Sequence, residues 1–185
     1  LPEERLREIE AFKELDPYNL QNIAQNGEVL DFKEGWPLSN QDEVNSKVYF
    51  ILKGCARLLG IQDNKLVTIA KLNQGETIGL ASILRGASCE QVSASTKLKV
   101  FCLADIHIID LYQKDKSFKN WCDSSIFPSE ISSLIKILIA GSNNQNINLL
   151  SIFSKFIISK DIKIVNTSYV NQGSENLYFG SKGHE

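Results

Sequence analysis

The sequence predicts a mainly β fold, an antiparallel jelly-roll-like β-roll with α-helices at both ends. Short apolar runs follow one another between Glu28 and Leu103, at the roughly 8 to 12 residue spacing that is typical of sandwiches and rolls. Glycines and other turn residues separate these runs. Helix-like patterns lie on both sides of them.

The N-terminal region, residues 1–27, is predicted to form two short helices. Leu6, Ile9 and Phe12 fall on one helical face. Asp16 then offers an N-cap, and Pro17 occupies the first helical position, where a missing N–H costs nothing. The second helix therefore begins at about Pro17.

Residues 28–104 are predicted to form the roll. Its strands are Glu28 to Phe32, Lys47 to Leu52, Cys55 to Gln62, Leu66 to Leu72, Gln91 to Ser95 and Leu98 to Leu103. Asp63 and Asn64 suit a tight hairpin, because both tolerate positive φ. A short helix is predicted at Leu80 to Leu84.

One face of each strand is expected to supply the interior of the roll, because side chains alternate between the two faces of a strand. In the second predicted strand the interior set is therefore either Val48, Phe50 and Leu52 or else Tyr49 and Ile51.

Residues 105–165 are predicted to be helical, and 166–185 to be a tail. Asp105 is expected to cap a helical segment. Pro128 begins a helix that ends near Gly141, and another is predicted at Leu149 to Ile158 after an Asn-rich loop. From about Gly173 the sequence resembles a protease-cleavage tag with its Gln missing, and we interpret it as a tag remnant.

Composition argues against several function classes. The 185 residues contain 20 Lys and Arg against 22 Asp and Glu, for a net charge of −2. No basic stripe is present, so we expect no nucleic-acid partner. No apolar run approaches the ~18 residues of a membrane span. The charged start is unlike a signal peptide. We expect a cytoplasmic protein that meets a membrane only through a larger protein.

Catalysis and metal binding are also not expected. The four cysteines and two histidines are scattered without the paired spacing of metal ligands. No motif of a zinc hydrolase, a serine hydrolase or a P-loop occurs. We predict a non-enzymatic protein without a metal.

Four short motifs carry a family resemblance. They are Phe12-Lys13-Glu14-Leu15, Phe32-Lys33-Glu34-Gly35, Tyr49-Phe50-Ile51-Leu52-Lys53-Gly54 and Leu72-Asn73-Gln74-Gly75-Glu76-Thr77-Ile78-Gly79. Their order resembles that of the cyclic-nucleotide-binding family. The resemblance implies a β-roll with a short helix at the phosphate cassette, where unpaired backbone N–H groups meet the cyclic phosphate.

The cassette lacks the two charged residues that the resemblance would require for cyclic AMP. Family members place a Glu after the cassette Gly and an Arg nine or ten residues later. Here these positions hold Leu80 and either Ser88 or Cys89. Each charge-assisted hydrogen bond contributes about 1.5–3 kcal/mol, so their loss weakens binding roughly 10²- to 10⁴-fold. We therefore expect no cyclic nucleotide or other cofactor.

The candidate degenerate pocket consists of Gly79, Leu80, Ala81, Ser82, Arg85, Ser88 and Cys89. Arg85 is either a substitute cation or a solvated helix-end residue. Leu80 is either a pocket wall or a core residue. Cys89 is either a thiolate stabilised beside a helix end or an inert small residue. Leu80→Glu with Ser88→Arg or Cys89→Arg is expected to restore some cyclic AMP binding.

Two functions remain open. The first is a regulatory or docking module of a larger protein, since the sequence is similar to roll domains that precede the peptidase and transporter segments of bacterial bacteriocin-type exporters. The second is a receptor for a different nucleotide or a small effector. A transcription regulator is a remote third, because Lys136, Lys155, Lys160 and Lys163 are too dispersed for DNA recognition. The C-terminal helices are expected to pack on the roll, a second copy or a following domain.

Overall fold

The computed structural model describes residues 1–62 and 65–141. It confirms the predicted fold class: two antiparallel four-stranded sheets form a β-roll with helices on both sides. The hairpin residues 63 and 64, the predicted helix at 149–158 and the tail lie outside the described residues.

The elements follow the order helices, strands, helices. The helices are α1 (Glu3–Leu6), a 3₁₀ turn (Glu10–Phe12), α2 (Pro17–Asn26), α3 (Leu80–Arg85), α4 (Asp105–Lys114), α5 (Lys116–Ser124) and α6 (Pro128–Gly141). The strands are β1 (Glu28–Phe32), β2 (Pro37–Ser39), β3 (Lys47–Lys53), β4 (Ala56–Gln62), β5 (Lys65–Leu72), β6 (Thr77–Ile78), β7 (Val92–Ala94) and β8 (Leu98–Ala104).

The two sheets have the orders β1-β8-β3-β6 and β2-β7-β4-β5, and every pairing is antiparallel. β2 and β6 lie outside the predicted runs, because strands of three and two residues are too short to show a period-2 pattern. α3 follows β6 directly. The short helix therefore begins where β6 leaves its sheet.

Two apolar clusters form the core. The first lies between the N-terminal helices, α4 and α5 on one side and β3 and β8 on the other. Phe12 is at its centre, with its ring centroid 4.5 Å from that of Phe50 and 6.2 Å from those of Phe101 and Phe118. The second cluster fills the interior of the roll.

β3 contributes to both clusters. Tyr49 and Ile51 face the roll interior, whereas Val48 and Phe50 pack on the helices. The prediction that one face of this strand supplies the roll interior therefore holds, with Tyr49 and Ile51 as that face, but the opposite face is buried as well. The reason is tertiary, because helices on the outer side of the sheet remove the second face from water as well.

The predicted helical segment after the roll is divided into α4 and α5. Asp105 is the first residue of α4 and not its cap, which is Ala104. The division falls at Asp115, whose side chain accepts hydrogen bonds from the backbone N–H groups of Ser117 and Phe118. A buried N-cap of this kind starts a new helix.

Candidate functional site

The candidate site begins where β6 turns into α3. Gly79 caps α3 with a φ of +90°. A Cβ at this position would lie 2.6 Å from the carbonyl oxygen of Lys47 on β3. Only glycine fits both the positive φ and the close approach of the two backbones. The turn therefore fixes the start of α3 against the sheet.

A buried carboxylate lies beside this turn. Glu90 is 4% exposed, and its Oε1 accepts hydrogen bonds from the backbone N–H of Gly79 and, at 3.5 Å, from the hydroxyl of Ser82. Burial raises the pKa of Glu90 to about 7, although both hydrogen bonds act in the opposite direction. The start of the cassette thus holds a buried acid of the protein itself, which is only partly ionised near neutral pH.

Glu90 is absent from the site predicted from the sequence. A signal for it exists, because Glu90, Val92 and Ala94 are spaced by two and side chains at that spacing share one face of a strand. Val92 and Ala94 both lie in the roll interior. Extending the predicted strand by one residue, from Gln91 to Glu90, places Glu90 on this inward face.

The space beside Glu90 is a small cavity with a volume of about 10 Å³, room for about one water molecule. Strands, α3 and the start of α6 all contribute to its wall. The lining residues are Leu58, Leu72, Thr77, Ala81, Glu90, Phe127, Pro128 and Ser129.

α6 closes the roll over this cavity. Ile131 and Ile135 are buried in the interior cluster, as the sequence predicts for helices that pack on the roll. Two polar contacts join α6 to the cassette. Arg85 Nε lies 2.6 Å from Glu130 Oε1, and the Ser133 hydroxyl donates to the carbonyl of Cys89 at 3.2 Å.

The candidate residues from the sequence are not all brought together. Ala81 lines the cavity and Ser82 contacts Glu90. Leu80 is fully buried, but in the helix-side cluster with Phe12. Of the two alternatives for Leu80, the structure shows the core residue and not the pocket wall.

Ser88 and Cys89, the alternative positions for the missing Arg, have local partners. The Ser88 hydroxyl donates to the carbonyl of Asn40 at 2.9 Å. Cys89 Sγ lies 3.3 Å from Ser82 Oγ. Burial raises the pKa of the Cys89 thiol, because desolvation disfavours the charged form. This direction favours the inert small residue over the stabilised thiolate.

Residues 29–115 match the family model of the cyclic nucleotide-binding domain. This region is a regulatory or sensor domain of the cyclic-nucleotide-binding type. Domains of this type are typically non-catalytic. The match covers the roll, the cassette and α4, and three of the four sequence motifs lie within it, whereas Phe12-Lys13-Glu14-Leu15 precedes it.

Solved structures share this domain's fold. A cyclic nucleotide-binding-like protein from Brucella abortus is 18% identical, with a TM-score of 0.51, and the match covers 60% of this chain and 97% of that one. The regulatory domain of Toxoplasma gondii protein kinase A, crystallised with cyclic AMP, is 17% identical with a TM-score of 0.55 and coverages of 64% and 45%.

A third structure is the regulatory subunit of a cyclic-AMP-independent protein kinase A from Trypanosoma cruzi bound to guanosine. It is 20% identical, with a TM-score of 0.51 and coverages of 63% and 45%. The chain therefore spans less than half of either kinase regulatory subunit. No curated protein matches the sequence.

Within residues 1–62 and 65–141 no helix has the length and apolarity that a bilayer crossing requires. The same ranges hold no group of three or more His, Cys, Asp or Glu side chains arranged to bind a metal ion.

Proposed function

We propose that this domain regulates a larger protein without binding a cyclic nucleotide in the usual way. The observation that carries the proposal is the position of Glu90. Its carboxylate accepts the hydrogen bond of the Gly79 N–H at the start of the cassette. A cyclic phosphate brought to this place would have to displace Glu90 from this N–H group, and the ionised form of Glu90 would repel the phosphate, most strongly away from water.

No cation of the cassette offsets this repulsion. Arg85, the substitute cation considered from the sequence, pairs with Glu130 on α6. Ser88 and Cys89 are neutral and hydrogen-bonded to other groups. A phosphate would lose its hydration without gaining a charged partner, and this desolvation is costly.

Space argues in the same direction. Pockets for small ligands usually have volumes of about 300–1,000 Å³, and the cavity beside Glu90 has about 10 Å³. Ile131 and Ile135 of α6 fill the adjoining interior of the roll. A nucleotide could enter only after α6 had moved.

Calorimetry and thermal unfolding of the full chain test the proposal. We expect neither heat nor a change in Tm with cyclic AMP or cyclic GMP at 1 mM. The test is sensitive, because a ligand present at 100 times its Kd would add about 2.7 kcal/mol to the free energy of unfolding. A cyclic AMP-binding domain measured in parallel is the positive control. Micromolar binding of either cyclic nucleotide would overturn the proposal.

A receptor for an effector without a phosphate is the second candidate function. Thr77, Glu90 and Ser129 give the cavity polar groups among apolar walls, and an acidic group suits a ligand that donates hydrogen bonds. The relative from Trypanosoma cruzi is bound to guanosine. A rise in Tm with adenosine or guanosine that is lost in Glu90→Ala would favour this candidate over the first.

The host protein that we propose is a bacteriocin-type exporter, on the strength of the sequence resemblance, with α6 and the following residues as the docking region. The continuation of the reading frame tests this. A peptidase or transporter segment would support it, and a DNA-binding segment would replace it with the transcription regulator. Sedimentation of the purified chain tests the alternative that the same region forms a homodimer.

A further inference from the structure

Glu90 is an ionisable group enclosed beneath a helix. Its neighbours across the cavity include Phe127, Pro128 and Ser129, at the start of α6. The hydrogen bonds that its carboxylate accepts within the described residues come from Gly79 and Ser82, and both reach the same oxygen, Oε1. Ionised Glu90 is therefore poorly solvated while α6 is in place.

The other charged groups on the surrounding elements do not compensate Glu90. On α3, Arg85 pairs with Glu130 of α6. Cys89 lies next to Glu90 in the chain, and its pKa is raised by burial. On α6, Lys136 interacts with Cys89, and it is not among the groups that shift the pKa of Glu90. The residues that β4, β5 and β6 contribute to the cavity, Leu58, Leu72 and Thr77, do not titrate.

We propose that the ionisation of Glu90 controls whether α6, the lid that covers the cavity, is docked on the roll. Protonated Glu90 tolerates the closed cavity. Ionised Glu90 favours an open lid, because water then reaches the carboxylate. The docking of α6 can be measured without a nucleotide, so its pH dependence is independent of whether any nucleotide binds.

The physical basis is a proton that binds more tightly in the closed form. Closed, Glu90 has a pKa raised to about 7 from its ordinary value of 4.5. Open, the carboxylate is hydrated and its pKa returns toward the lower value. Closing the lid thus takes up a proton from solvent near neutral pH, and raising the pH through 7 shifts the equilibrium toward the open lid.

Hydrogen exchange measured by mass spectrometry at pH 6.0 and 8.5 tests the lid in the full chain. After correction for intrinsic exchange rates, the opening constant of the α6 amides around Ile131 to Ile135 should rise about tenfold at the higher pH, from the two pKa values above. In Glu90→Gln, which keeps the side-chain shape without the charge, we expect no such change.

Glu130→Gln is the matched control. It weakens the contact with Arg85 and should increase α6 exchange at both pH values, while the pH dependence remains. Equal pH dependence in the wild type and Glu90→Gln, or none in the wild type, would overturn the proposal.

A second measurement needs no substitution and serves if Glu90→Gln does not fold. The ¹³C shift of the Glu90 carboxyl carbon is followed by NMR across the same pH range. Its midpoint should coincide with the midpoint for loss of α6 protection. Midpoints that differ by more than one pH unit would contradict the lid.

Discussion

The carboxylate of Glu90 accepts a hydrogen bond from the backbone N–H of Gly79, and this contact joins the chain just before β7 to the start of α3. In the resemblance to cyclic-nucleotide-binding proteins, this region is where backbone N–H groups meet a phosphate. Here an internal acid takes up one of these N–H groups. The cassette is thus joined to the roll by a hydrogen bond to the protein's own carboxyl group.

The stability of the protein should fall as Glu90 ionises. Its pKa is raised in the folded state, to about 7 from 4.5, so its contribution is fully present below pH 4.5 and is lost as the pH rises through about 7. Between pH 5 and 8.5 we expect a loss of about 2–3 kcal/mol in the free energy of unfolding relative to Glu90→Gln. Urea denaturation at both pH values measures it.

A surface variant provides the control for this titration. Glu34 is exposed, so Glu34→Gln should follow the wild-type pH profile closely. If Glu90→Gln also follows that profile, Glu90 does not titrate in this range and the prediction is wrong.

Gly79→Ala should destabilise the protein more than Gly75→Ala. Both glycines have positive φ, +90° and +91°, so both substitutions carry a strain of roughly 1 kcal/mol. Only at Gly79 would the new Cβ meet backbone, 2.6 Å from the oxygen of Lys47; around Gly75 nothing lies within 4 Å. We expect an additional loss of at least about 1 kcal/mol in Gly79→Ala by urea denaturation. Equal losses of stability in the two variants would show that the β3 backbone moves away from the new Cβ at no cost.

Leu80→Glu should fail to fold and should not gain cyclic AMP binding. The sequence alone favours a gain when this change is combined with Ser88→Arg or Cys89→Arg. The structure reverses that expectation for Leu80, because its side chain is fully buried beside Phe12 and Phe50. An unpaired carboxylate there costs several kcal/mol.

Circular dichroism and thermal unfolding measure whether Leu80→Glu folds. The control is Leu80→Met, a change of similar volume, which should lose less than about 1.5 kcal/mol of the free energy of unfolding. A folded Leu80→Glu protein that binds cyclic AMP would restore the expectation from the sequence.

Asp115→Ala should separate α5 from the N-terminal helices. Burial would raise the pKa of Asp115, but hydrogen bonds from Ser117, Phe118 and Asn19 lower it to about 2. A pKa lowered in the folded state contributes stability above about pH 3.8, and that contribution is lost as the pH falls through 2.

At pH 7 we expect Asp115→Ala to lose about 2 kcal/mol, from the helix cap together with the 3.1 Å hydrogen bond to Asn19. Asp31→Ala, which removes an exposed pair with Lys99, is the control and should change stability by less than about 0.5 kcal/mol. Similar urea midpoints for the two variants would contradict the prediction.

The candidate site was only partly accessible from the sequence. Gly79, Ala81 and Ser82 lie at or beside the cavity, as the cassette resemblance implies. Leu80 lies on the other side of α3, because successive residues of a helix point in different directions. Glu90 is identified only by its contact with Gly79, eleven residues earlier. Neither the orientation of a single helix turn nor a contact across a loop leaves a periodic signal.

Local sequence signals specify the succession of elements. Glycines, Asp16-Pro17 and period-2 apolar runs place α2, α3 and the longer strands, because these signals act through backbone conformation within a few residues. What covers each surface depends instead on tertiary packing. Helices bury Val48 and Phe50 on the outer face of β3, and α6 closes the roll above Glu90. Burial depends on residues that are far apart in the chain. The pKa of the Glu90 carboxyl, which burial raises, therefore depends on them as well.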